Sequence, residues 1–103
     1  MKLLIVDDED IIREGIVEKI AWKENGFTLT TPGKNGLDAK EIIERERPDI
    51  VLTDINMPFI NGLELAAWIR EEYPDIKIIF LTGYDEFQYA KKAIQLKASA
   101  YIL

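Results

Sequence analysis

Two kinds of apolar spacing alternate along this chain. Leu3-Leu4-Ile5-Val6, Ile50-Val51-Leu52 and Ile78-Ile79-Phe80-Leu81 are short apolar runs with no polar alternation, the pattern of strands covered on both faces. Between them apolar residues recur at helical spacing: Ile12, Ile16 and Ile20; Ala39, Ile42 and Ile43; Leu65, Ala66 and Ile69; Phe87, Ala90 and Ile94. The pattern predicts strands over Lys2–Val6, Phe27–Thr31, Asp49–Asp54, Lys77–Leu81 and Ala100–Leu103. Asn25-Gly26 is expected to stop the first helix, and Pro32-Gly33 with Asn35-Gly36 to open the second, which runs to Glu46. The second helix has the thinnest inner face and is expected to be the most weakly held. The third runs from about Gly62 to Glu72, and Asp85 is a plausible N-cap for the fourth. Strand–helix alternation with short loops implies an α/β fold with a parallel sheet, right-handed crossovers and helices on both faces.

In open sheets of this kind ligands sit at the carboxyl ends of the strands. Asp7-Asp8-Glu9-Asp10 follows the first strand, Asp54 ends the third, and Thr82-Gly83 follows the fourth. The ends of strands one and three are neighbours, so Asp7, Asp8 and Asp54 are expected to converge. Their mutual repulsion would be relieved by protonation or by a cation. With oxygen ligands only, the expected cation is Mg²⁺, which suits phosphoryl transfer, and an Asp beside it is a competent nucleophile. Blander readings stand beside this one: Asp7 to Asp10 as acids favoured at a helix start, Asp54 as a turn residue, Thr82 as an ordinary strand end. Only the combination on one sheet edge favours the chemical reading.

Composition narrows the options. The 103 residues fit one domain, are 48% hydrophobic and 31% charged, and carry a net charge of −6. The acidic balance argues against direct nucleic-acid binding by this segment. There is no Cys and no His, which removes disulfides, thiolate sites and His-based catalysis. The apolar runs are strand-sized and the N-terminus has no signal-peptide pattern, so a cytoplasmic protein with no membrane span is expected.

Asp7-Asp8-Glu9, Asp54-Ile55-Asn56-Met57-Pro58 with Gly62, Thr82-Gly83 and Tyr101 together resemble the receiver (response regulator) domain of bacterial two-component signalling, in order along the whole chain. The resemblance implies a flavodoxin-like doubly wound sheet of order 2-1-3-4-5 over residues 1–103. That order carries over from the family example the flavodoxin-like rule is built on. It further implies that Asp54 is the phospho-acceptor, served by a sensor histidine kinase. Asp8, Asp54 and the Asn56 backbone carbonyl would hold Mg²⁺, with Asp7 acting mainly through water. Thr82 would hydrogen-bond the phosphate and Tyr101 would swing inward with it, changing the partner preference of the fourth-helix and fifth-strand surface. On this reading the chain is not an enzyme but a signalling domain of a DNA-binding transcriptional regulator, a subfamily suggested by Thr82 to Phe87 and Tyr89 to Ala93.

The sequence departs from the family pattern in places. It ends at Leu103, before the expected Lys and the fifth helix, which suggests an incomplete piece of a longer regulator. Without that helix a sheet face would lie open and invite self-association, as could the fourth-helix and fifth-strand surface. Lys97 stands where Gly is common, and Lys40 at an often apolar position. Two other function classes remain open: a non-phosphorylated interaction module on the same fold, and a haloacid-dehalogenase-like phosphatase using Asp8-Glu9-Asp10, for which the chain offers little beyond the short motif.

Overall fold

A computed structural model describes residues 1–81. Four strands, β1 (Lys2–Val6), β2 (Thr28–Leu29), β3 (Ile50–Asp54) and β4 (Lys77–Leu81), form a parallel sheet in the order β2-β1-β3-β4. Helices α1 (Asp10–Lys19), α2 (Gly36–Glu46) and α3 (Gly62–Glu72) connect them. The expected fourth helix, fifth strand, Thr82 and Tyr101 lie outside the described residues.

The uninterrupted apolar runs are explained by the two-sided cover. In β1, Leu3 and Ile5 face the α1 side with Ile16, Trp22, Phe27, Ile50, Leu52, Ile79 and Leu81. Leu4 and Val6 face the opposite side with Ala39, Ile42, Ile43, Val51, Leu65 and Ile69 from α2, β3 and α3. Period-two alternation thus serves two cores rather than one core and solvent. On β4, Ile79 is 2% exposed and Leu81 0%; the last strand, where the open sheet face was expected, lies outside the described residues.

Three expectations are corrected. The first helix does not run to Asn25-Gly26: it ends at Lys19, with Ile20 already extended. A separate 3₁₀ turn over Lys23–Asn25 closes on Gly26 at φ 89°, so this glycine caps the turn rather than the helix. The break lets Trp22 fold under the sheet, where its indole N–H donates to the Ile16 carbonyl at 3.0 Å and its ring meets Phe27 edge-on. The second strand shrinks to Thr28–Leu29, because β2 is an edge and the chain then leaves β1; only a bridge from Val6 to Gly33 resumes the pairing.

The second helix is not the weakest held of the three described helices. It buries Gly36, Ala39, Ile42 and Ile43, whereas α1 fully buries only Ile16. Asn35 caps α2 by accepting the Asp38 N–H at 2.8 Å, while α1 starts at Glu9 with no side-chain cap. Native-state hydrogen exchange is therefore expected to give α1 amides a lower opening free energy than those of α2. Equal protection of the two helices would contradict this burial argument.

Candidate acidic site

Strand register builds the site. Val6 pairs with Thr53 in the β1–β3 ladder, so Asp7 and Asp54 come next, side by side at the carboxyl edge. Pleat alternation decides their side: Leu3 and Ile5, and Ile50 and Leu52, line the α1 face, and Asp7 and Asp54 continue those two series. Asp8 follows where the chain turns toward α1. The result is a cluster in which one carboxylate oxygen each from Asp7, Asp8 and Asp54 lies within 4.8 Å of the others. Asp7 is 0% and Asp54 7% exposed, while Asp8 faces solvent.

The backbone around Asp7 is tied down. Its N–H donates to the Gly33 carbonyl at 3.1 Å, and its Oδ1 accepts the Glu9 N–H at 2.9 Å. Asp54 Oδ1 accepts the Ile55 N–H at 2.8 Å. Burial, with the Asp7 and then the Asp8 charge beside it, pushes the Asp54 carboxyl up to about 6; the Ile55 and Asn56 N–H groups oppose the rise only in part. The structure therefore brings together Asp7, Asp8 and Asp54. Asn56 lies two residues beyond β3, in the loop that passes the cluster, with its side chain in solvent.

An all-oxygen donor set with two buried acids and one exposed acid fits a hard divalent cation such as Mg²⁺, which accepts one or two carboxylates and retains waters. The cluster lacks the nitrogen or sulfur ligands that softer metals favour.

Sequence reasoning marked Gly62 as part of the motif but did not supply its reason. The start of α3 crosses the end of β3 so closely that a Cβ on Gly62 would lie 2.1 Å from the Asp54 carbonyl oxygen and 2.8 Å from Ile55 Cα. The Gly62 N–H donates to the Ile55 carbonyl at 2.8 Å. Gly36, at the start of α2, makes a similar approach: a Cβ there would be 2.5 Å from the Ile60 carbonyl oxygen. Between them Phe59 adopts φ 69°, bridged by an Ile60 N–H to Pro58 carbonyl bond of 2.8 Å. That is a tight three-residue turn, uncommon for a bulky residue. Only the Asn61-Gly62 pair hinted at this packing; Asn61 and Glu64 form the capping box that starts α3.

The chain is similar in sequence and fold to known proteins. The family model described as response regulator receiver domain matches residues 3–103. The chain is similar to an uncharacterised response regulatory protein of Staphylococcus epidermidis, 40% identical over 99% of this chain and 40% of that protein. It is also similar to the transcriptional regulatory protein DegU of Brevibacillus brevis, 36% identical over 100% of this chain and 43% of that protein. It thus spans about two fifths of the length of these curated relatives. Among solved structures, the REC domain of AraT, a response regulator from Geobacillus stearothermophilus, superposes with a TM-score of 0.78 at 44% identity, covering 99% of this chain and 79% of that one.

Two outcomes are expected from this geometry. Gly62→Ala should lower the unfolding free energy by about 2–3 kcal/mol, because backbone rather than a flexible side chain must move; urea unfolding reads it, and a neutral result would refute the close approach. Asp54→Asn should stabilise the chain at pH 7.5, on the order of 1 kcal/mol. The sign follows from the raised carboxyl: the folded chain holds a proton between pH 3.8 and about 6 that the unfolded chain has lost. Stability is thus gained as pH falls through 6 and is lost above it, so the benefit of Asn should vanish near pH 4. Denaturation curves at both pH values check this, and a benefit that persists at pH 4 would contradict it.

Proposed function

Because the chain belongs to the response regulator receiver domain family, we propose that it is a phospho-acceptor: Asp54 takes a phosphoryl group from the phosphohistidine of a partner sensor kinase, with Mg²⁺ held by Asp7, Asp8, Asp54 and the Asn56 backbone carbonyl. The observation that carries this reading is the convergence of the three carboxylates on one strand edge, two of them buried. The Asp54 carboxylate attacks phosphorus as the nitrogen–phosphorus bond of the donor breaks, and the donor imidazole keeps that electron pair. Bound Mg²⁺ supplies the positive charge that offsets the phosphoryl oxygens.

The protein's own contribution is position. Burial raises the Asp54 carboxyl to about 6, so near pH 7 it is mostly the carboxylate needed for attack. The Ile55 N–H fixes the orientation of that carboxylate, and the Gly62 approach holds the backbone behind it. Thr82 and Tyr101 are assigned, by resemblance to the family, to hydrogen-bonding the phosphate and to the inward swing that follows. The chain acts as an acceptor rather than an enzyme. Two of its relatives carry the names of transcriptional regulatory proteins, which supports a place in a DNA-binding regulator; a cytoplasmic setting is part of the same proposal. Among the described residues no helix is long and apolar enough to cross a membrane.

The test is incubation with Mg²⁺ and acetyl phosphate, followed by intact-mass measurement. One phosphate increment is expected on the wild type and none on Asp54→Asn or without the metal. A wild type that stays unmodified and does not bind Mg²⁺ would favour a non-phosphorylated interaction module instead.

A further inference from the structure

Arg13 lies one turn into α1 and reaches back over the turn that carries Asp7 and Asp8. Its Nη1–H donates to the Asp7 backbone carbonyl at 2.6 Å, and its Nη2–H to the Asp10 carboxylate. The Arg13 side chain is 14% exposed, against 75% for Asp10. Burial of a guanidinium costs hydration, and a cation near a helix N-terminus gains nothing from the helix dipole. An exposed ion pair with Asp10 is a small return for that cost. The bond to the Asp7 carbonyl is the contact that accounts for the placement.

We propose that Arg13 is a positioning residue for the metal site, clamping the Asp7–Asp8 turn from its backbone so that both carboxylates are held toward Asp54. The inference rests on the Mg²⁺-dependent reading above and adds a residue to it. Arg13 thereby joins two other contacts on Asp7, its N–H to Gly33 and its Oδ1 from Glu9. The Arg13 backbone N–H donates to the carbonyl of Glu9, the N-cap of α1, at 2.9 Å, which anchors Arg13 in the first helical turn. The guanidinium therefore bridges the end of β1 to the body of α1 across the segment that carries Asp8.

The sign of one measurement separates positioning from simple charge. Removing a cation beside three acids, and releasing the Asp10 carboxylate, should by Coulomb attraction alone tighten Mg²⁺ binding. Loss of a positioning contact should weaken it, by about tenfold or more as for other groups that orient ligands without touching the metal.

The experiment is calorimetric titration of the chain with MgCl₂ at pH 7.5, with circular dichroism melts to establish that each variant is folded. Arg13→Ala is expected to bind Mg²⁺ about tenfold more weakly than wild type. Arg13→Lys, which keeps a donor for the carbonyl, should recover most of that loss. Asp10→Asn, which removes the ion pair but leaves the carbonyl bond, should stay within about threefold of wild type. If Arg13→Ala does not fold, Arg13→Gln, which retains more of the stem but loses the charge and reach, takes its place with the same expected loss. A folded Arg13→Ala that binds Mg²⁺ as tightly as wild type or tighter, or an Arg13→Lys no better than Ala, overturns the proposal. If wild type itself does not bind Mg²⁺, the function proposed above falls, and this inference with it.

Discussion

Three carboxylates held within 4.8 Å of one another repel, and the rest of the fold can be understood by how that repulsion is sustained. Neither Asp7 nor Asp54 can retreat. Each continues a strand paired along its length, β1 with β3 from Leu3–Ile50 to Val6–Thr53 and β3 with β4 from Ile50–Lys77 to Asp54–Leu81. Moving either acid by one position would turn it to the other face and carry its whole strand out of register. The strain is therefore expressed as chemistry rather than as displacement, in an Asp54 carboxyl raised to about 6. A site set on strand ends in this way is more exact than one set on loops.

The two-core sheet was legible because its signal is dense. Buried parallel strands must be apolar at every position, and no other arrangement of Leu3 to Val6 or Ile50 to Leu52 satisfies both neighbours. The convergence of Asp7, Asp8 and Asp54 followed from strand adjacency. What escaped was set by backbone approach and by side chains that reach across elements. Nothing in Asn25-Gly26 says that the helix has already ended six residues earlier, because the break is driven by where Trp22 can be buried. Arg13 follows the acidic run by only three residues, but helical spacing marks it as a partner of Asp10 and not of the Asp7 carbonyl.

Lys40 shows the same limit from the other side. A charge at an often apolar position looks like a defect until its partner is known. Its ammonium lies 5.1 Å from the Trp68 ring centroid on α3, Trp68 meets Tyr73 edge-on at 5.5 Å, and the Arg47 guanidinium lies 4.7 Å from the Tyr73 ring. The two cations seal the outer seam between α2 and α3 with their stems and charge, a task an aliphatic side chain would do at the cost of exposed apolar surface.

The local irregularities divide by edge of the sheet in a way that bears on function. At the amino edge, Arg47 at φ 50° is the left-handed cap of α2, its N–H bonded to the Ile43 carbonyl, and this is how helices commonly end. At the carboxyl edge the irregularities have no such routine cause. Phe59 holds φ 69° and is 77% exposed, so burial does little to offset the strained turn. Gly36 and Gly62 let two helix starts close on the same loop, and two acids are buried beside it. A chain selected for stability alone would place Gly at residue 59 and a neutral side chain at residue 54. That both costs fall within a few residues of the acidic cluster, while the other end of the sheet obeys local rules, is what marks this edge as the working one.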